Sequence, residues 1–196
     1  MSEVIIFDTE YTAWEGSRER RWRGPGEVRE IVQIGAVSLR AESLDEAGQF
    51  EVLMRPERNP VLSSYFTALT GISQAELQRA GRSFSDGVAR FRQFVGPRTA
   101  YCYGVDDQFI VDQGLRQNAG HPWPSFFAHN IGRWFHATGV NVAGINSGAL
   151  AQHVGGMFDA PAHNALNDAR SIAEAIRVLV RRGAANPFTH HDWRAG

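Results

Sequence analysis

The chain contains no lysine, because all 20 of its basic residues are arginine, against 21 acidic residues. This absence excludes mechanisms that depend on a lysine amine, such as Schiff-base formation or the lysine of a phosphate-binding loop. The formal net charge of -1 also excludes a globally basic protein that coats nucleic acid. If the substrate is a nucleic acid, a local basic patch or bound metal ions must therefore meet it.

Cysteine and long apolar segments are also scarce. Cys102 is the single cysteine, so no internal disulfide can form and no oxidising compartment is required. The apolar run at 4–7 is short and has no basic residue before it, unlike a signal peptide. No apolar stretch approaches the roughly 20 residues that span a bilayer. From these absences we expect a soluble, cytoplasmic protein that does not associate with membranes.

The order of the predicted elements indicates an α/β fold. Apolar runs rich in β-branched or aromatic residues predict strands over residues 4–7, 31–39, 49–54, 99–103 and 126–128. Helical spacing of apolar residues predicts helices, the main ones over 85–95, 107–118 and 164–182. A short polar link between the second and third strands predicts an antiparallel hairpin. Together these elements predict a mixed five-stranded sheet flanked by helices.

The length suits one domain. We place this domain at residues 1–185, and it includes a long Arg- and Trp-rich loop at 13–28. Residues 186–196 are expected to form a loose C-terminal tail.

Two carboxylates end the first predicted strand. Asp8 and Glu10 are two residues apart, so their side chains point to the same face of the strand. Two such charges repel each other and resist burial unless a cation lies between them. Oxygen ligands of this kind suit Mg²⁺ or Mn²⁺. The spacing alone favours the alternative, an exposed strand end with two solvated acids.

A second pair of acids, Asp106 and Asp107, follows the predicted strand at 99–103 and opens a helix. Aspartate caps helix N-termini well, and one of the two would suffice for that purpose. If the strand is parallel, the other acid reaches the carboxyl edge of the sheet, where ligands bind in open α/β sheets.

His163 lies in a predicted loop, five residues before Asp168 at the start of the last long helix. A histidine there could deprotonate a water molecule, since its ordinary pKa is near neutrality. The alternative is a surface histidine followed by an exposed acid in the first turn of the helix.

In order along the chain, these motifs resemble those of the DEDDh 3′→5′ exonucleases, which belong to the proofreading-exonuclease superfamily with the ribonuclease H-like fold. The residues that carry the resemblance are Asp-x-Glu at 8–10, an aspartate after the strand at 99–103, and H-N-A-L-N-D at 163–168. The segment L-T-G-I at 69–72 also resembles a family signature. The ordered set spans residues 4–180 and is far more specific than any part of it.

Within the family, the chain looks most like the Eri-type branch. E-Y-T-A-W at 10–14 fits the branch pattern E-x-T-x-W, and F-T-A-L-T-G-I at 66–72 fits F-x-x-L-T-G-I. Y-G-V-D-D at 103–107 stands where the branch has W-G-x-x-D, with tyrosine in place of tryptophan. The offset from Gly104 selects Asp107 as the metal ligand and leaves Asp106 as the alternative.

The resemblance implies a ribonuclease H-like sheet and a metal-dependent 3′→5′ exonuclease. Such an enzyme hydrolyses single-stranded RNA or DNA from the 3′ end to nucleoside 5′-monophosphates, using two Mg²⁺ or Mn²⁺ ions. The catalytic set implied for this chain is Asp8, Glu10, Asp107, His163 and Asp168. In this set the four acids bind the metal ions and the histidine is the general base.

The same resemblance implies that the backbone of residues 9–12 faces the terminal nucleotide, so the implied substrate contacts are Thr9, Tyr11, Thr12 and Phe66. Phe66 could stack on a base, as aromatic side chains do in single-strand channels, or pack between helices. The arginines at 18–23 could hold phosphates, with Trp22 stacking on a base, or belong to a solvated, mobile loop.

A different class of function is a regulatory module that binds a protein partner through an exonuclease fold. An intact set of acidic residues argues against a purely structural role, because such a module has no use for an uncompensated carboxylate cluster.

Overall fold

A mixed five-stranded sheet forms the centre of the computed structural model, which describes residues 2–118 and 124–195. The strands are β1 (Glu3–Tyr11), β2 (Ile31–Arg40), β3 (Glu46–Leu53), β4 (Thr99–Cys102) and β5 (His129–Asn130). Their order is β3-β2-β1-β4-β5, with β1, β2 and β3 antiparallel and β4 and β5 parallel to β1. The predicted sheet and its antiparallel hairpin are therefore confirmed.

Helices cover both faces of this sheet. They are α1 (Ser64–Thr70), α2 (Gln74–Ala80), α3 (Phe84–Val95), α4 (Asp106–Gln117), α5 (Gly132–Ala137), α6 (Leu150–His153) and α7 (Ala165–Arg181). Short 3₁₀ turns lie at Ser147–Ala149 and Asp192–Ala195. Within the described ranges, no helix has both the length and the apolar character needed to cross a membrane.

The central strand β1 is buried on both faces. Ile5 and Phe7 pack in the apolar cluster that contains the buried side chains of α3. Val4 and Ile6 pack in the cluster that contains those of α7. Because successive side chains of a strand point to opposite faces, the later even-numbered residues of β1 also face α7.

The fifth strand differs from its prediction. Residues 126–128 were expected to form it, but the residues that pair with β4 are His129 and Asn130, opposite Tyr101 and Cys102. The apolar character of the earlier segment reflects packing, since the ring of Phe126 lies 5.7 Å from that of Phe7. Burial and strand pairing leave the same apolar signal in so short a segment.

The C-terminal tail is packed, contrary to the expectation of a loose segment. Phe188 is 5% exposed, and its ring centroid lies 4.9 Å from that of Tyr101. The indole of Trp193 donates a hydrogen bond of 3.1 Å to the carbonyl of Pro187. These aromatic side chains anchor the segment beside β4.

The Arg- and Trp-rich loop at 13–28 is folded into consecutive turns. Ser17 is buried, its amide donates to the carbonyl of Trp14, and the amide of Trp22 donates to the carbonyl of Ser17. The indole of Trp22 donates to the carbonyl of Thr12 over 2.8 Å. The loop is therefore held against the end of β1, beside the carboxylates described next.

Candidate metal centre and active site

Asp8 and Glu10 lie near the carboxyl end of β1, on the face that packs against α7. Both are nearly enclosed, with 6% and 8% of their surface exposed. The exposed-end alternative therefore does not hold. Asp8 pairs in the sheet with Gly35 of β2. A Cβ atom at that glycine would lie 2.0 Å from the backbone nitrogen of Leu166, so the missing side chain lets α7 approach the acids.

The start of α7 is fixed by a side chain of the sheet. Gln33, which pairs with Glu10 across β1 and β2, accepts a hydrogen bond of 2.9 Å from the amide of Ala165. Asn164 caps the helix by accepting the amide of Asn167. These contacts set the direction of the first helical turn, which carries Asp168.

Asp168 is 2% exposed and is surrounded by hydrogen-bond donors. The hydroxyl of Ser147 donates to its Oδ2 over 3.2 Å, and the backbone amide of His163 donates to its Oδ1 over 3.2 Å. A Cβ atom at Gly148 would lie 2.5 Å from Oδ1, so this glycine leaves room for the carboxylate.

His163 is half-buried and has the positive φ of 62° that non-glycine residues rarely adopt. One ligand atom each from Glu10, His163 and Asp168 lies within 4.8 Å of the others. Residues more than 150 positions apart in the chain therefore meet at a single point. Burial, and then the charge of Arg18, lower the pKa of His163, which favours a neutral imidazole at pH 7.

The two aspartates at the start of α4 have different surroundings. Asp106 accepts a hydrogen bond of 2.5 Å from the hydroxyl of Thr9 on β1. Asp107 turns towards the segment before β5, where its Oδ2 accepts the amide of Ala128 over 3.1 Å. The structure thus places the alternative, Asp106, beside the acids of β1, whereas the sequence offset had selected Asp107.

Four carboxylates consequently share one buried site: Asp8, Glu10, Asp106 and Asp168. Burial raises the pKa of Glu10 to about 9, that of Asp168 to about 7 and that of Asp106 to about 6. Burial, followed by the charge of Asp106, raises the pKa of Asp8 well above its usual range.

These acids cannot all be ionised near neutral pH unless cations compensate them. The ion pairs formed among the described residues use other carboxylates, such as Glu27 and Asp86. A set of oxygen donors without arginine partners fits the preference of Mg²⁺ and Mn²⁺. The donor chemistry is therefore that of a divalent metal centre.

Two of the predicted substrate contacts lie beside this centre. Thr9 is buried, and its hydroxyl is bound to Asp106. Tyr11 is partly exposed, and its ring packs edge-on against Trp22 at 5.3 Å and against Phe109 at 5.6 Å.

The other two predicted contacts are enclosed. The hydroxyl of Thr12 donates to the carbonyl of Val28 and accepts the amide of Glu30, so its hydrogen bonds hold the loop ends together. Phe66 is 1% exposed and packs with Val32 and other apolar side chains, as in the packing alternative. Neither side chain offers a surface to a substrate in this structure.

Sequence reasoning missed Gln33, Ser147, Gly35 and Gly148. One signal was available, because Gln33 is a polar residue within an apolar strand and was therefore a candidate for a specific hydrogen bond. The roles of the other three depend on close approaches between segments distant in sequence, which leave no local pattern.

Comparison with known proteins gives the family. Residues 5–176 match the family model described as exonuclease, and the chain belongs to that family. It is 26% identical over 192 residues to 3'-5' exoribonuclease 1 of Rattus norvegicus, covering 90% of this chain and 52% of that protein. It is 24% identical over 215 residues to 3'-5' exonuclease Snipper of Drosophila melanogaster, covering 96% and 73% respectively.

Among solved structures, the nuclease domain of 3'hExo, a DEDDh family member, superposes with a TM-score of 0.76 at 22% identity, covering 93% of this chain and 94% of that one. The fold is therefore that of the ribonuclease H-like exonucleases, and the resemblance to the Eri-type DEDDh proteins is confirmed. The chain spans about half the length of the exoribonuclease 1 protein that it matches.

Proposed function

We propose that this chain is a metal-dependent 3′→5′ exonuclease that degrades single-stranded RNA or DNA to nucleoside 5′-monophosphates. The observation that carries this proposal is the buried cluster of four carboxylates beside His163, in a chain of the exonuclease family. Nucleotide ligands in solved neighbours support this proposal: one is bound to rAMP, and another is an exonuclease I complex with single-stranded DNA.

In the proposed mechanism, Asp8, Glu10 and Asp168 would hold one divalent ion, and Asp8 and Asp106 would contribute to holding a second. When bound, two such ions would supply stabilisation of both the attacking and the leaving oxygen of an in-line displacement at phosphorus. Asp106 replaces Asp107 in this assignment because only Asp106 is hydrogen-bonded to β1 between the two acids of the first motif.

His163 is proposed as the general base that accepts a proton from the attacking water. Its lowered pKa keeps the ring neutral at pH 7, so a ring nitrogen is available as an acceptor. The hydrogen bond from its backbone amide to Asp168 holds the residue beside the metal ligands. The base and the Asp168 carboxylate are thus positioned by the same short segment.

The test is the release of mononucleotides from oligonucleotides labelled at the 3′ or the 5′ end, with Mg²⁺ or Mn²⁺. A 3′→5′ exonuclease releases the 3′ label first, whereas a 5′ label stays on progressively shorter strands. Asp8→Asn should abolish activity, because it removes a carboxylate assigned to both ions. If the wild type binds metal but releases no mononucleotide from any single strand, the proposal fails.

The alternative function, a regulatory module that binds a protein partner, gains no support from the site. A non-catalytic module would bury four carboxylates with no cation to compensate their charge. This burial would lower the stability of the folded protein. Stable capture of a protein by both the wild type and Asp8→Asn, without nuclease activity in the wild type, would favour this alternative.

A further inference from the structure

Arg29 has an unusual environment between the loop and α4. Its guanidinium carbon lies 3.7 Å from the ring centroid of Phe109, 4.9 Å from that of Trp22 and 5.2 Å from that of Tyr11. Within the described ranges, its side chain makes no hydrogen bond or ion pair. The rings therefore hold the planar cation in position, while its N–H groups stay unpaired.

A pocket of about 240 Å³ lies next to this arginine, and Trp22, Phe109, Gln113 and Arg116 contribute to its walls. Gln113 is 2% exposed and accepts the amide of Ile31 through its Oε1 over 2.7 Å. Its Nε2 is buried without a hydrogen-bond partner. A buried donor without a partner is unfavourable, so such groups are rare in folded proteins. Where one occurs, a bound ligand or water molecule is a common partner.

The charges around the pocket favour an anion. Two guanidinium groups, Arg29 and Arg116, and the unpaired amide are the donors. One of the two acids in the lining, Glu27, is already bound to Arg20 and to the amide of Gly24. The other acid in the lining, Asp112, is exposed to solvent.

The pocket adjoins the carboxylate cluster along α4. Asp106, Phe109, Gln113 and Arg116 are spaced by three, four and three residues, so they share one face of the helix. At about 1.5 Å per residue, Phe109 is about 4.5 Å and Gln113 about 10.5 Å beyond Asp106 along the axis. When the 3′ end of a nucleic-acid strand lies at the carboxylate cluster, a neighbouring part of its sugar-phosphate backbone can therefore reach the pocket.

We propose that Arg29 binds a non-scissile phosphate of the substrate strand, with Gln113 and Arg116 lining the same subsite. The proposal rests on the proposed exonuclease function. A guanidinium group pairs with phosphate oxygens through its N–H edge and stacks on aromatic rings through its faces. Here three rings surround the guanidinium carbon and the N–H groups are unpaired, so the side chain is preorganised for an anion. Two adjacent arginines also supply positive charge in a protein whose net charge is negative.

The test compares Arg29→Gln with the wild type on two substrates: a dinucleotide, which contains only the scissile phosphate, and a ten-nucleotide strand. We expect KM for the ten-nucleotide strand to rise at least about tenfold, as for loss of a hydrogen bond to a charged group, with the dinucleotide unaffected. Binding of the longer strand is measured by fluorescence anisotropy in the presence of Ca²⁺. The slope of log affinity against log salt concentration should become less negative by about 0.7 in Arg29→Gln, as for the loss of one phosphate contact.

Arg40→Gln is the matched control, since it removes the same charge at the opposite end of the sheet. Arg40 pairs with Glu3 of β1, seven residues before Glu10 and thus about 23 Å away. It should leave KM and the salt slope unchanged. Arg116→Gln, a change at an exposed residue, provides a second variant if Arg29→Gln fails to fold, and should also raise KM for the longer strand alone.

Three outcomes would overturn the inference. One is an unchanged salt slope and KM in the folded Arg29→Gln protein. A second is an equal loss on both substrates, which would mean that Arg29 only supports the shape of the site. The third, if Arg29→Gln does not fold, is an unchanged KM in Arg116→Gln. If the wild type itself cleaves no strand, the proposed function fails instead, so the two failures are distinguishable.

Discussion

The buried carboxylates predict that the metal-free protein loses stability as pH rises. The pKa of Glu10 is raised from 4.5 to about 9, mainly by burial and then by the charges of Asp168 and Asp106. Between these pH values the folded state retains a proton that the unfolded chain releases. The stabilisation is therefore complete below pH 4.5 and decreases as pH rises towards about 9.

The size of the effect follows from the linkage of proton binding to folding. Each pH unit inside this window changes the free energy of unfolding by about 1.4 kcal/mol per group. Raising the pH from 5 to 7 therefore lowers the free energy of unfolding by about 3 kcal/mol through Glu10 alone. In a domain of this size 1 kcal/mol shifts the melting temperature by about 2–4 °C, which predicts a fall of roughly 6–12 °C. Bound Mg²⁺ or Mn²⁺ should reverse the loss, because the ionised carboxylates become ligands.

The assay is thermal unfolding of chelator-treated protein at pH 5 and pH 7, with and without divalent metal. Glu10→Gln should raise the metal-free melting temperature at pH 7 and weaken its pH dependence, since an amide has no proton to lose. Glu42→Gln, a change at an exposed residue, should behave as the wild type. A metal-free melting temperature equal at both pH values, or unaffected by Glu10→Gln, would refute the argument.

Three further predictions concern single residues. His163→Ala should lower kcat about 10²–10⁴-fold without loss of metal binding, and near wild-type turnover would remove this residue from the role of general base. Asp106→Asn should lower activity and metal affinity far more than Asp107→Asn, measured by turnover and metal titration; the reverse order would restore the assignment made from sequence spacing. Gly35→Ala should displace the start of α7, costing about 1–3 kcal/mol in thermal unfolding as well as activity, whereas Gly48→Ala, whose Cβ meets only Ser38 at 3.9 Å, should be tolerated.

Local sequence patterns predicted the first four strands of the sheet and the elements that carry the candidate site. β1 and β2 are apolar runs buried on both faces, and α7 has a continuous apolar face. These patterns of apolar residues could be recognised in the sequence. The motifs around Asp8, Glu10, His163 and Asp168 lie at the ends of these elements. The ordered resemblance to the DEDDh exonucleases, rather than any single spacing, indicated that they assemble, because Asp8 and Glu10 end β1 whereas Asp168 lies at the amino end of α7.

Tertiary structure decided what local patterns could not. Asp106 and Asp107 are neighbours of the same type, and only the direction in which α4 leaves β4 sets which one faces the acids of β1. The enclosure of Phe66 depends on packing between segments far apart in the chain.

The arginines illustrate the same division. The sequence by itself established that every basic side chain is a guanidinium group and that lysine chemistry is excluded. It did not distinguish Arg29 from the other arginines near the loop, because no periodicity marks a side chain held by three aromatic rings. Those rings come from β1, the loop and α4, so their meeting around one cation exists only once the chain has folded.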